Sequence, residues 1–213
     1  MQFFDFRLAP SPTKVRIFIA EKGIEIPTVD VNLREGEHKK EEFLARIPTA
    51  TVPALELDDG TFLYESNAIC RYLELTYPEP NLMGEGAKEQ ALVLMWHDVA
   101  TLEGYLALQE VLRNSLEAFK GRALPGPHGH EQIAALVDRG RRRLDIFFDK
   151  LDERLAESPY LALDRFTYAD IVAYVYKGFS ARAAGADPAE GRDNLARWYA
   201  EVAARPAVQA TTT

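Results

Sequence analysis

Residues 51–69 read Thr51-Val52-Pro53-Ala54-Leu55-Glu56-Leu57-Asp58-Asp59-Gly60-Thr61-Phe62-Leu63-Tyr64-Glu65-Ser66-Asn67-Ala68-Ile69. Thr51 to Leu57 has the makings of a strand, and a proline near its start is tolerated at a sheet edge. Asp58-Asp59-Gly60 is a hairpin turn. Thr61 to Tyr64 therefore returns as an antiparallel strand. Ser66 reads as the cap of a following helix, with Ile69, Tyr72 and Leu73 on one face, and Pro78 and Pro80 end it. Two strands, a tight turn and a helix thus occupy one short stretch.

The pattern extends towards the N-terminus. Phe3 to Phe6 reads as a strand, and Thr28 to Asn32 as a second. Between them Pro12 suits a helix start, with Ser11 as the preceding cap. Val15, Phe18 and Ile19 fall at helical spacing, and Lys22-Gly23 closes the helix. A helix between two strands predicts a parallel pair with a right-handed crossover. Residues 34–46 are charged and irregular, with room for a short helix before Pro48. The predicted order for residues 1–80 is β-α-β-α-β-β-α.

Beyond about residue 88 strand signals stop. Leu92, Met95, Trp96, Val99, Leu102 and Leu106 mark a long amphipathic helix. Gly121 to His130 is a loop. Ile133, Leu136, Val137, Leu144, Phe147, Phe148, Leu151 and Leu155 form a second stripe, a third helix starts near Thr167, and a fourth runs through Leu195, Trp198, Tyr199 and Val202 to Pro206. The expected division is an α+β domain over residues 1–80 and an all-α helical bundle over residues 88–213, with the boundary between Pro78 and Lys88.

The chain has 213 residues and a net charge of −8, with 47% hydrophobic and 27% charged residues. Such a length buries roughly 70% of its unfolded surface without a metal or a disulfide. The acidic balance lacks the basic footprint of a nucleic-acid binder. One cysteine, Cys70, excludes an internal disulfide and fits a reducing compartment. No apolar run approaches the ~20 residues of a membrane span. Met1 to Arg7 lacks the basic and apolar regions of a signal peptide, so the expected location is the cytoplasm.

Four features together resemble the cytosolic glutathione transferase family, in a bacterial, theta-like form, over essentially the whole chain. The first is Thr51-Val52-Pro53-Ala54-Leu55. The resemblance implies a cis Pro53 and a Val52 whose backbone N–H and C=O meet the cysteinyl unit of glutathione. The second is Glu65-Ser66-Asn67-Ala68-Ile69. Free N–H groups at a helix start attract anions, so the resemblance assigns the γ-glutamyl carboxylate to Ser66 and its ammonium to Glu65. The third is His38-Lys39, which looks like the segment that reaches the glycyl carboxylate. The fourth is Phe166-Thr167-Tyr168-Ala169-Asp170-Ile171, a capping box with its hydrophobic staple, structural rather than catalytic. Ile47-Pro48-Thr49-Ala50-Thr51 departs from the family string by lacking its Asn and Gly, so only Val52 and Pro53 carry over.

Family members ionise the glutathione thiol for attack on an electrophile. A free thiol has a pKa of about 8.5, and lowering it by ~2 units takes about 2.7 kcal/mol. A donated hydroxyl can supply ~1.5–3 kcal/mol and a helix N-terminus ~0.3–1, up to ~2 when partly buried. Acting together they suffice. The usual serine position holds Ala9, which leaves Ser11 and Thr13, and Ser11 is the first choice. No cysteine lies in this loop, and Cys70 reads as an inert core residue. Tyr168, Tyr174 and Tyr176 read as core. His128-Gly129-His130 lacks a third ligand for a metal, so no metal is expected. The reading is a thioredoxin-like domain that binds glutathione as cosubstrate, followed by a helical bundle that helps receive a small hydrophobic electrophile. The resemblance also implies a homodimer. The rivals are a glutathione-binding module without turnover, and a glutathione-dependent dehalogenase or isomerase.

Overall fold

The computed structural model describes residues 1–184 and 187–212. They fall into two compact units, one made of Met1–Pro80, Pro125–His128 and Ala207–Thr213, the other of Asn81–Leu124 and Gly129–Pro206.

The first unit holds strands β1 (Gln2–Asp5), β2 (Thr28–Asp30), β3 (Ala54–Glu56) and β4 (Phe62–Tyr64), with helices α1 (Pro10–Glu21), α2 (Glu41–Arg46) and α3 (Ser66–Thr76). A 3-10 turn, Glu37–Lys39, precedes α2. The sheet order is β2-β1-β3-β4. β1 and β2 are parallel, as a helical crossover requires, while β3 and β4 are antiparallel to their neighbours. This is the thioredoxin-like βαβαββα arrangement. Asp58-Asp59-Gly60 makes the turn, with Gly60 at φ +83°. The Thr61 N–H donates to Asp59 Oδ1 at 2.9 Å, which braces it.

Side chains alternate across the sheet. Phe4 and Ala54 face one side and form a core with Val31 and Ile47, flanked by Phe43 of α2, Phe62 and Tyr64. Phe3 and Leu55 point to the other side and are buried. α1 and α3 pack against each other, and α3 also packs on β3 and β4. Val15, Ile17 and Phe18 are the buried apolar residues of α1, together with Pro12, so Ile17 takes the place expected for Ile19.

Two helix starts differ from the sequence reading. α1 begins at Pro10 with Ala9 in the cap position, so Ser11 lies inside the first turn and is not the cap. Pro10 and Pro12 both have the fixed φ and the missing N–H that suit a first turn, and the earlier one sets the boundary. α3 begins at Ser66 itself, with Glu65 as the half-in residue at φ 65°, ψ 121°. The strands are also shorter than read: Thr51, Val52 and Pro53 precede the β3 ladder.

The second unit is helical: α4 (Gly86–Val99), a π-helical segment (Ala100–Tyr105), α5 (Leu106–Ser115), α6 (Ala135–Glu157), α7 (Tyr168–Ala184) and α8 (Asp193–Ala203). A further helix, α9 (Pro206–Thr212), begins where the sequence reading ended the chain's last helix, with proline at its first position. α4, the π segment and α5 run on continuously. Their buried residues are Val93, His97, Ala100, Gly104, Ala107, Leu108, Val111 and Leu112. The stripe read from the sequence is therefore the wrong one: Met95, Leu102 and Leu106 are exposed. Small residues mark the true contact. A Cβ on Gly104 would stand 2.6 Å from the Phe147 ring, and one on Gly140 would stand 2.8 Å from the Ala107 carbonyl oxygen. Likewise Ile133 is exposed, while Leu144, Phe147, Phe148, Leu151 and Leu155 of α6 are buried. Tyr168, Tyr174 and Tyr176 are buried as read.

At the start of α7, Asp170 is fully buried. Its carboxylate accepts the Thr167 N–H at 2.9 Å and the Thr167 hydroxyl at 3.0 Å. It also accepts the Leu161 N–H and the Trp198 indole N–H, each at 3.0 Å. Only the Asp-to-Thr167 N–H half of the expected capping box is formed, because the Thr167 hydroxyl turns to the carboxylate. Burial raises the Asp170 pKa against the pull of these donors.

Candidate functional site

The ladder brings four separated segments to one end of the sheet. Phe4 of β1 faces Ala54 of β3, and Ala54 faces Tyr64 of β4. Asp5 of β1 faces Asp30 of the parallel β2. The exits of β1, β2 and β4 and the entry of β3 therefore share an edge. From β4 to β2 this edge carries Glu65 and Ser66, then Val52 and Pro53, then the start of α1, then the segment that contains His38 and Lys39. Three strand spacings of about 4.8 Å make it roughly 14 Å wide. A crevice beyond strand ends where connections diverge is a common ligand position in α/β folds.

At the β4 corner, the Ile69 N–H donates to the Glu65 carbonyl at 3.0 Å. The N–H groups of Ser66, Asn67 and Ala68 have no backbone partner among the described residues. They face the positive end of an 11-residue helix, an anion site by construction. Ser66 is buried and Glu65 exposed. The left-handed φ of Glu65 is strained for a non-glycine residue, of the order of 1–3 kcal/mol. Burial of Ile69, Cys70 and Leu73 behind it holds α3 in place.

At the middle of the edge the Val52–Pro53 peptide bond is cis. Val52 precedes the ladder, and its N–H and C=O make no backbone hydrogen bond among the described residues. Two residues earlier Ala50 is held at φ 53°, in the left-handed region that glycine adopts without penalty. In the segment that follows β2, His38 is half-buried in the 3-10 turn and Lys39 is exposed.

The first turn of α1 separates the two hydroxyls. The Thr13 N–H donates to the Ala9 carbonyl at 3.3 Å. The Thr13 hydroxyl donates to that same carbonyl at 2.8 Å and accepts from Arg16 Nη2 at 2.8 Å. Pro10 and Pro12 have no N–H. Among the described residues Ser11 alone keeps both a free N–H and an unengaged hydroxyl in this turn, half-exposed at the positive end of a 12-residue helix. Thr13 cannot donate to a thiolate without giving up its bond to Ala9.

Sequence reasoning missed Arg16 and Asp5. Arg16 Nη1 pairs with Asp5 Oδ1, and the two side chains are 15% and 4% exposed. Burial pushes the Asp5 carboxyl up and the Arg16 guanidinium down, each held back by the other's charge. The available signal was an acidic residue in an apolar strand position beside Phe3 and Phe4. Among the described residues no group of three or more His, Cys, Asp or Glu stands where a metal could be held, and no helix is long and apolar enough to cross a membrane.

Residues 10–76 match the model of the glutathione S-transferase N-terminal domain, and residues 105–206 match that of the C-terminal domain. Glutathione S-transferase 2 of Saccharomyces cerevisiae is 34% identical over 214 residues, covering 98% of this chain and 88% of that protein. The chain belongs to the glutathione S-transferase family. It is an enzyme of that family. Glutathione S-transferase F12 of Arabidopsis thaliana is 31% identical over 93% of this chain and 90% of its own length. The crystal structure of a glutathione S-transferase domain-containing protein from Marinobacter aquaeolei superposes with a TM-score of 0.88, at 34% identity, covering 98% of this chain and all of that one. Within this transferase fold, Ala50 takes the left-handed conformation at the place where the family string has glycine.

Proposed function

We propose that the protein transfers glutathione, through its ionised thiol, to a small apolar electrophile. Ser66 and the free amides of α3 receive the γ-glutamyl carboxylate, and Glu65 balances its ammonium. Val52 pairs with the cysteinyl backbone beside Pro53. His38 and Lys39 meet the glycyl carboxylate. The order of these groups along the sheet edge follows the order of the tripeptide, which spans about 10 Å when extended. Ser11 donates to the thiolate from the first turn of α1. The observation that carries this assignment is that Thr13 is committed to Ala9 and Arg16 while Ser11 is not.

The site belongs to residues 1–80, the helical domain over residues 88–213 contributes to electrophile binding, and the chain acts as a cytoplasmic homodimer. Leu94, Met95, Leu102 and Leu106, exposed by 51%, 48%, 56% and 44%, lie on one side of α4, the π segment and α5. That apolar side supports the dimer.

The test combines calorimetry with turnover. Glu65→Ala should weaken glutathione binding by at least about tenfold, or ~1.5 kcal/mol, because the ammonium loses its charged partner. Unchanged affinity removes this corner from the site. A second reading, glutathione binding without turnover, draws support from Ala9 at the usual hydroxyl position. Saturable glutathione binding with no conjugation of any of several electrophiles would establish it instead.

A further inference from the structure

The turn that joins β1 to α1 is where the thiol has to be held, and it is short. Within it the Ala9 N–H donates to the Phe6 carbonyl at 3.0 Å. Leu8 is 54% exposed, so little apolar packing fixes the turn from outside. One side chain fixes it from inside. Arg16 Nη1 donates to Asp5 at the end of β1. Arg16 Nη2 donates to the Arg7 carbonyl at 2.9 Å and to the Thr13 hydroxyl at 2.8 Å. Thr13 in turn grips the Ala9 carbonyl. The strand end, the middle of the turn, the cap residue and the first turn of the helix are thus tied to one guanidinium.

We infer that Arg16 is a positioning residue for thiol activation. By locking Arg7, Ala9 and Thr13 to Asp5, it sets where the free Ser11 N–H and hydroxyl point. Its bond to the Thr13 oxygen also helps hold that hydroxyl on the Ala9 carbonyl, so that Ser11 keeps the free donor of this turn. This rests on the proposed function. A planar fork is needed because the acceptors lie in different directions: a carboxylate on one nitrogen, a carbonyl and a hydroxyl on the other. A lysine ammonium offers a single nitrogen and cannot span them. The charged groups around the guanidinium are Asp5 on β1, Arg7 in the turn and Asp30 on β2, whose charges all act on it. With Asp5 in direct contact, Arg16 acts on the thiol through geometry rather than as a free positive charge.

The measurement is the thiolate absorbance of glutathione bound to the full-length protein, followed against pH in wild type, Arg16→Lys and Thr13→Val. Thr13→Val keeps the Arg16–Asp5 pair, the β-branched shape and the backbone bond to Ala9, and cuts only the hydroxyl's links to Ala9 and Arg16. It therefore decides the matter even if Arg16→Lys fails to fold. The thiol pKa should rise by about 1 unit in both variants, a loss of thiolate of about tenfold at pH well below the wild-type ionisation point and about threefold at pH 7. Turnover should fall by about as much at each pH and recover at alkaline pH, with glutathione affinity within about threefold of wild type. A Thr13→Val thiol pKa within about 0.3 units of the wild-type value overturns the inference. A wild-type thiol that is itself unshifted overturns the proposed function, and this inference with it, which separates the two failures.

Discussion

At the residue scale, the site depends on which hydroxyl is free to donate. On the proposed assignment Ser11→Ala removes a donor to the thiolate, an effect of ~1.5–3 kcal/mol. The pKa of bound glutathione should rise by ~1–2 units, and turnover at pH well below the wild-type ionisation point should drop about ten- to hundredfold. Glutathione affinity should change little, since the proposed anchors are Val52, Ser66 and Glu65. If the helix dipole and the Ser11 N–H act alone, the loss is only a few-fold, and a thiol shift below ~0.3 units rejects the hydroxyl. The sequence reading made Ser11 the cap of α1, two residues past Ala9, which holds that position. Two prolines at Pro10 and Pro12 each fit a helix start, and local propensity does not choose between them. The same limit applies at Ser66. The residue that adopts the half-in conformation is Glu65, at a positive φ that non-glycine residues rarely take.

At the element scale, the hairpin and the crossover were legible because each rests on local chemistry. Asp59-Gly60 can make few other structures, and a helix between Phe3 and Thr28 leaves a parallel pair as the natural outcome. The long helix was not legible in the same way. Its apolar residues surround it, so periodicity selected Met95, Leu102 and Leu106, while the buried contact uses Ala100, Gly104 and Ala107. Small residues that allow close approach carry no hydrophobic signal, and the π-helical segment shifts the register further. The capping motif of α7 was legible as a cap, but not as the junction it is. Asp170 joins Thr167, Leu161 and Trp198 from three separate segments. Asp170→Ala strands two buried N–H groups and an indole, each worth about 1–3 kcal/mol. The expected loss is at least ~3 kcal/mol, above the ~0.5–2 kcal/mol of a lost cap. Chemical denaturation of the variant checks this, and a loss below ~2 kcal/mol means that the carboxylate serves as a cap alone.

At the scale of the whole molecule, the exposed apolar side of α4 to α5 predicts self-association. Sedimentation at micromolar concentration should give about twice the chain mass of 23.9 kDa. Leu102→Glu, which sets a charge on that side, should shift the species towards monomer without loss of helical circular dichroism. A wild-type monomer refutes the dimer. The central claim is that the sheet edge binds glutathione and ionises it. The most direct measurement is the ultraviolet thiolate absorbance of glutathione at saturating wild-type protein, titrated from acid to alkaline pH. A half-ionisation point about two units below the free-thiol value of about 8.5 is the predicted result. Because a depressed pKa keeps the thiolate until pH falls through the shifted value, turnover should hold from alkaline pH down to that point and decline below it. A bound thiol that still ionises near 8.5 contradicts the account.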